Sequence, residues 1–216
     1  MSEVVLVHGL FLRSWSVSLL RKRLRAKGFS VRCFNYSTVR QDPLQSADVL
    51  ADFCRQGNTP EQHLVGHSLG GLLILEMLKR ARDNPPPAGR VVMMGSPIAG
   101  SVVARRVAEV SAGRALLRES VPSLVDGVRH IPADRDCGMI AGARARGAGR
   151  VTGALDGPND GTVAVEETRS EDLSDHLLLP VTHTGLLLSR EVARQVAYFS
   201  LNGRFDRPEQ DKSKAL

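Results

Sequence analysis

Gly66-His67-Ser68-Leu69-Gly70 sets one serine between two glycines, directly after the apolar pair Leu64-Val65 and directly before the apolar stretch Leu72 to Leu78. The chemistry such a serine can do is nucleophilic attack on a carbonyl. Its hydroxyl is useful only if it is exposed, close to a base, and close to donors that stabilise an oxyanion. A sharp strand-to-helix turn supplies that exposure but crowds the backbone on both sides, so Gly66 and Gly70 leave room. Leu69 would then offer its backbone N–H at the N-terminus of the new helix, where donors are free and the dipole favours negative charge. Five residues are too short a pattern to stand alone, and the mechanism requires partners elsewhere in the chain.

The first partner is a base. Six histidines compete for the role. His183 follows the last predicted strand and precedes the last predicted helix, on a loop able to reach the end of the sheet where Ser68 emerges. His176 lies at the opposite end of that strand. His8 and His67 belong to turns of their own, His63 opens a strand, and His130 sits in an irregular segment. The base needs an acid to fix its tautomer and stabilise its charged form. A resemblance to the α/β hydrolases would imply the chain order Ser, then Asp or Glu, then His, which places that acid between serine and histidine. Asn159-Asp160-Gly161 lies between the two late strands on a turn suited to these residue types. Asp160 is therefore the first choice, with Asp156 the local alternative; Glu166 and Glu167 are expected inside or beyond a strand.

The elements that must position these groups alternate along the chain. Val4 to Val7 is an apolar run without alternation, as expected of a strand covered on both faces. Ser14 would cap a helix over Trp15 to Lys27 with Trp15, Leu19, Leu20 and Leu24 turned inward and Gly28 closing it. Val31 to Tyr36 reads as a strand. Asp42-Pro43 opens a helix whose inner face is Ala47, Leu50, Ala51 and Cys54, and Gly57 closes it. His63 to Val65 is the strand leading to Ser68, and the helix after it ends near Arg82, before Pro85-Pro86-Pro87. Arg90 to Met94 is a strand. Ser101 caps a helix with Val103, Val107 and Val110 inside. Residues 113–136 read as a small irregular cover, Gly138 to Ala141 as a strand, and Gly142 to Gly161 as a long loop, with order resuming at Thr162 to Val165. The last strand is Leu177 to Val181 and the last helix Ser189 to Phe199. Residues 1–202 thus read as one α/β domain with a mostly parallel sheet of about six strands and helices on both faces, and 203–216 as a polar tail. In such sheets the chemistry lies outside the carboxyl ends of the strands.

Composition narrows the function. The 216 residues carry a net charge of +6 but only 4% aromatic residues, which argues against a nucleic-acid partner; most arginines fall on helix outer faces or at helix C-termini, where solvated positive charge is ordinary, and weak attraction to anionic lipid surfaces or acidic partners is the alternative. No run is long enough for a membrane span, and Met1-Ser2-Glu3 lacks the basic start of a signal peptide. Cys33, Cys54 and Cys137 are odd in number and widely spaced, so they read as small hydrophobes of a reducing, cytoplasmic compartment.

Together, Val-Leu-Val-His8-Gly9-Leu10, Gly-His-Ser68-Leu-Gly-Gly, Gly-Ser-Pro97-Ile-Ala-Gly-Ser, Asn-Asp160-Gly-Thr-Val and Thr-His183-Thr-Gly resemble the α/β-hydrolase superfamily, over roughly residues 4 to 200. More narrowly they are similar to small bacterial serine esterases and lipases, grouped with class 2 lipases and acyl hydrolases like the GPI inositol deacylases. The resemblance implies a minimal α/β-hydrolase fold without a large lid domain or the first two strands of the full-size fold. It implies Ser68 as nucleophile, Asp160 as acid and His183 as base, with an oxyanion hole from the backbone N–H groups of Leu10 and Leu69. Phe11 is the next candidate donor and a substrate contact, and His8 braces its loop. The implied reaction is two-step hydrolysis of a small-molecule acyl ester, with an apolar pocket of Leu10, Phe11, Leu69 and the Val102 to Leu124 segment holding the acyl chain. It calls for no metal or organic cofactor. An acyltransferase or thioesterase would use the same three residues, and a non-catalytic binding module on this fold would have lost one of them.

Overall fold

The structure is a computed structural model and describes residues 2–128, 130–145 and 155–207. Among these residues six strands form one sheet: β1 (Glu3–Val7), β2 (Ser30–Phe34), β3 (Gln62–His67), β4 (Val91–Met94), β5 (Cys137–Gly142) and β6 (Asp175–Leu179). All neighbours run parallel, in the order β2-β1-β3-β4-β5-β6. The central strands are buried on both faces, which is why β1 from Val4 and β4 read as unbroken apolar runs, while β3 buries Gln62, His63 and His67 beside Leu64 and Val65. Successive residues of β1 separate onto two cores. Val5 and Val7 join α2 (Pro43–Arg55) and α3 (Leu69–Arg80) on one face. Val4 and Leu6 join α1 (Ser18–Arg25) and the two C-terminal helices, α7 (Gly185–Leu188) and α8 (Arg190–Asn202), on the other. Among the described residues no helix is long and apolar enough to cross a membrane.

Local signals hold where side chain meets backbone. Asp42 accepts from Leu44 N at 2.9 Å, Ser101 Oγ from Ala104 N at 3.2 Å to start α4 (Val102–Glu109), and Ser189 Oγ from Glu191 N and Val192 N. The expected inner face of α2 is buried throughout.

Several expectations need correction. Residues 14–17 form a 3-10 turn before α1, and this rotates Trp15 out to 71% exposure while Leu20 and Leu24 go inside. The inner face of α4 is Val103, Ala104 and Ala108, leaving Val110 exposed, because the helix ends at Glu109. The expected irregular cover contains helices α5 (Ser111–Leu117) and α6 (Val121–Asp126), each too short for periodicity to reveal. The order resuming at Thr162 to Val165 is a tight loop closed by the bridge Asn159 to Ala164, and Glu166 and Glu167, expected inside or beyond a strand, lie on a 3-10 turn at Glu166–Thr168. The last strand lies two residues earlier than expected. Residues 203–207, read as the start of a polar tail, are docked: Phe205 packs at a tilt against Phe199 and its N–H donates to Asp175, which Arg207 also grips. Much of the long Gly142 to Gly161 loop, residues 146–154, and the tail from 208 lie outside the described residues.

Candidate active site

Ser68 stands between β3 and α3 with φ 53° and ψ −123°, a conformation that costs a non-glycine residue roughly 1–3 kcal/mol and persists only where its surroundings enforce it. The enforcement is backbone against backbone. A Cβ at Gly66 would lie 2.5 Å from Gly71 N, and one at Gly70 would lie 2.4 Å from Val7 O. Leu69 is the first residue of α3, so its N–H has no partner within the helix. Its side chain does not line the cleft, contrary to the expected pocket wall, because it is buried in the core cluster with Leu72 and Leu73 of its own helix.

His183 and Asp160 come from the loops after β6 and β5, and the structure brings them together. His183 Nδ1 is 2.6 Å from Asp160 Oδ2, and His183 N donates to Asp160 O at 2.9 Å. Asp160 is 1% exposed, and its other oxygen, Oδ1, accepts from Thr162 N at 2.9 Å and Val163 N at 2.7 Å. With every carboxylate oxygen engaged, the remaining bond direction is fixed on the imidazole, which leaves Nε2 as its free nitrogen. Asp156, the alternative acid, is exposed. Glu167 is buried on the 3-10 turn, where it accepts from Val102 N and Ala164 N and so ties the Asp160 loop to α4; burial pushes its carboxyl above the usual range.

Ser68 and His183 both border a cleft of about 610 Å³, walled by Leu10, Phe11, Val103, Val107, Leu117, Leu124, Val163 and Leu187. Leu10 and Phe11 lie on the loop after β1, against Ser68; a Cβ on Gly9 would sit 3.0 Å from Ser68 Cβ. Phe11 has φ 56°, and its N–H is already spent on Thr38 Oγ1 at 3.1 Å, which favours Leu10 as the free donor. Thr38 O in turn accepts from Ser120 Oγ, linking the loop to the helical cover. His8 braces this loop as expected: its ring stacks on Tyr36 at 4.7 Å, Nδ1 meets Gly9 O and Nε2 accepts from Tyr36 N. His67 lies under the catalytic histidine candidate, ring centroids 4.7 Å apart, with Nε2 donating to His183 O at 3.1 Å. Burial pushes its pKa down to about 3, so it stays neutral and cannot compete as a base at neutral pH. His176 is held by Thr168 at the far end of β6, and His63 by Arg90 N at the start of β3. No group of three or more metal-binding side chains is gathered among the described residues.

A protein-family model described as "Alpha/beta hydrolase family" matches residues 4–199. The chain belongs to that family. A search of curated proteins finds no match. Among solved structures, this α/β hydrolase superposes on the mature form of a lipase from Bacillus licheniformis with TM-score 0.73 at 20% identity, covering 91% of this chain and 89% of that one. It superposes on a metagenomic carboxyl esterase with TM-score 0.70 at 18% identity, covering 93% and 74%. A thioesterase of the prodiginine pathway in Streptomyces coelicolor gives TM-score 0.61 at 16% identity, covering 93% and 85%. At these identities the likeness speaks for the fold. The features of this α/β hydrolase that sequence reasoning missed are Thr38, the tie made by Glu167, and Trp15 and Leu188 as cleft residues, whereas Leu116 lies in the segment expected to wall the pocket. Thr38 and Leu188 carry no local mark, since their roles depend on contacts distant in the chain.

Proposed function

We propose that the protein is a serine carboxylic-ester hydrolase working through an acyl-enzyme, with Ser68, His183 and Asp160 as its triad. The observation that carries the reading is the buried 2.6 Å contact between His183 Nδ1 and Asp160 Oδ2, in a cleft shared with a serine on a strained turn. His183 Nε2 takes the Ser68 proton as Oγ attacks the ester carbonyl. Asp160 holds the imidazole with its proton on Nδ1 and stabilises the imidazolium that forms. The backbone N–H groups of Leu10 and Leu69 receive the oxyanion. His183 then protonates the departing alcohol, and water releases the acid by the same route. The apolar cleft suits an acyl chain. The three unpaired cysteines, two of them buried with thiol pKa values pushed up to about 12, support a reducing, cytoplasmic setting as part of the same reading.

The test is hydrolysis of p-nitrophenyl esters from acetate to palmitate by the wild type and Ser68→Ala. Activity that disappears in the variant is the expected result, together with covalent labelling of the wild type alone by a fluorophosphonate. Turnover that survives in Ser68→Ala would sink the mechanism. A wild type inert on esters but active on acyl thioesters would move the assignment to thioester hydrolysis.

A further inference from the structure

The mouth of the cleft is bordered by four large apolar side chains, each more than half exposed: Phe11 53%, Trp15 71%, Leu116 56% and Leu188 52%. They come from three separate segments of the chain and gather around one opening. A soluble protein seldom leaves such a group together on its surface without a use for it. The flanking charges are one-sided. Segments 10–17, 114–120 and 184–191 contain Arg13, Arg114, Arg118 and Arg190, against Glu119 and Glu191, the latter already paired with Arg194. Arg13, between Phe11 and Trp15, and Arg190, beyond Leu188, make no ion pair among the described residues. Arg23 also donates to Leu188 O on the same rim.

We infer that this rim docks on an anionic phospholipid surface, so that the cleft opens against the bilayer and draws its acyl ester from it. The inference rests on the ester-hydrolase reading for its substrate, while the docking itself stands on the rim alone. Indole and phenyl rings with aliphatic neighbours suit the headgroup boundary, and arginines among them meet lipid phosphates. Apolar contact without the charges would leave the surface indifferent to headgroup. The excess of arginine commits it to negative lipid, with an attraction that weakens as salt rises.

Trp15 is the protein's one tryptophan and stands on this rim, so its emission reports docking directly. The measurement is fluorescence of Ser68→Ala titrated with phosphatidylglycerol vesicles and, separately, phosphatidylcholine vesicles, at low and high salt. The expected result is a blue shift with phosphatidylglycerol that salt reverses. Partitioning into phosphatidylcholine should be weaker by tenfold or more, and Arg13→Glu or Arg190→Glu should each weaken binding to phosphatidylglycerol on the order of tenfold. An unmoved emission overturns the inference, as does equal partitioning into both lipids. An emission already blue without vesicles, with a dimer's mass in sedimentation, gives the surface to a second copy of the chain and also overturns it. Because Ser68→Ala does not need to turn over, failure here leaves the ester-hydrolase reading intact. Inertness toward soluble esters would, equally, leave the docking result standing.

Discussion

Replacing Asp160 by Asn tests how the site holds its base, because the structure dictates which way the amide must face. Oδ1 of Asp160 receives two backbone N–H groups, Thr162 and Val163, at 2.9 and 2.7 Å. In Asp160→Asn only the carbonyl oxygen can satisfy those donors, so the NH₂ group is forced toward His183 Nδ1. The imidazole must then accept at Nδ1 and carry its proton on Nε2, the nitrogen that should receive the Ser68 proton. The wrong tautomer and the missing charge together are expected to lower kcat by ~10³–10⁴-fold, or about 4–5.5 kcal/mol of transition-state stabilisation. Folding suffers far less, since both backbone bonds survive and only the charge assistance is lost, about 1–2 kcal/mol. The assay is steady-state hydrolysis of p-nitrophenyl butyrate beside a thermal melt, with Asp156→Asn as control. Asp156 is exposed, and its replacement should leave activity within about twofold and stability within about 0.5 kcal/mol. If Asp160→Asn keeps a tenth of the activity, or Asp156→Asn loses as much as it does, the reasoning about Asp160 fails.

Thr38→Val removes the acceptor of the Phe11 N–H while keeping the side-chain shape, so kcat should fall roughly tenfold through a misplaced Leu10 donor, with Thr38→Ser restoring it; an equal loss in both variants would argue for packing alone. Gly70→Ala pushes a methyl to 2.4 Å from Val7 O, and a urea titration should show destabilisation of about 1–3 kcal/mol. A variant as stable as the parent would mean the turn is looser than its contacts require. The buried histidines set a pH dependence of stability. Burial lowers the pKa of His67 from 6.5 to about 3 and also lowers those of His8, His63 and His176. Between the unfolded and folded values the unfolded chain binds more protons, so stability is full above about pH 6.5 and falls as the pH drops toward 3. The urea midpoint should drop steadily from pH 7 to 4, with a shallower slope in His67→Gln; a flat profile would refute the buried, neutral state of His67.

The features legible in the chain were those written over short stretches. Ser68 between its glycines, the apolar runs of β1, β3 and β4, and the caps at Asp42, Ser101 and Ser189 each depend on neighbours a few residues away. The pairing of His183 with Asp160 was legible because loop order at the carboxyl ends of parallel strands brings them together. Trp15 was misread because one 3-10 turn changes the angle per residue and swings an apolar side chain from the core to the rim. Val110 failed because α4 stops at Glu109, one residue too early to carry it onto the inner face. Thr38 left no local trace, as its partners Phe11 and Ser120 are remote in sequence, and the tie from Glu167 to α4 was hidden because Val102 is equally remote.

The strand that carries the proposed base is the outermost on its side of the sheet. Among the described residues β6 pairs only with β5, most of its residues are half-buried, and the loop bearing His183 hangs from its end. Edge strands open before centres do. Activity and global structure therefore need not disappear together: a brief detachment of this edge carries off the base while the core from β2 to β4 remains folded. The same order applies to synthesis. The nucleophile's turn can form when the first half of the chain has emerged, but the site is complete only once the last strand and the helix behind it have docked. Nascent or truncated chains can thus be largely folded and wholly inert.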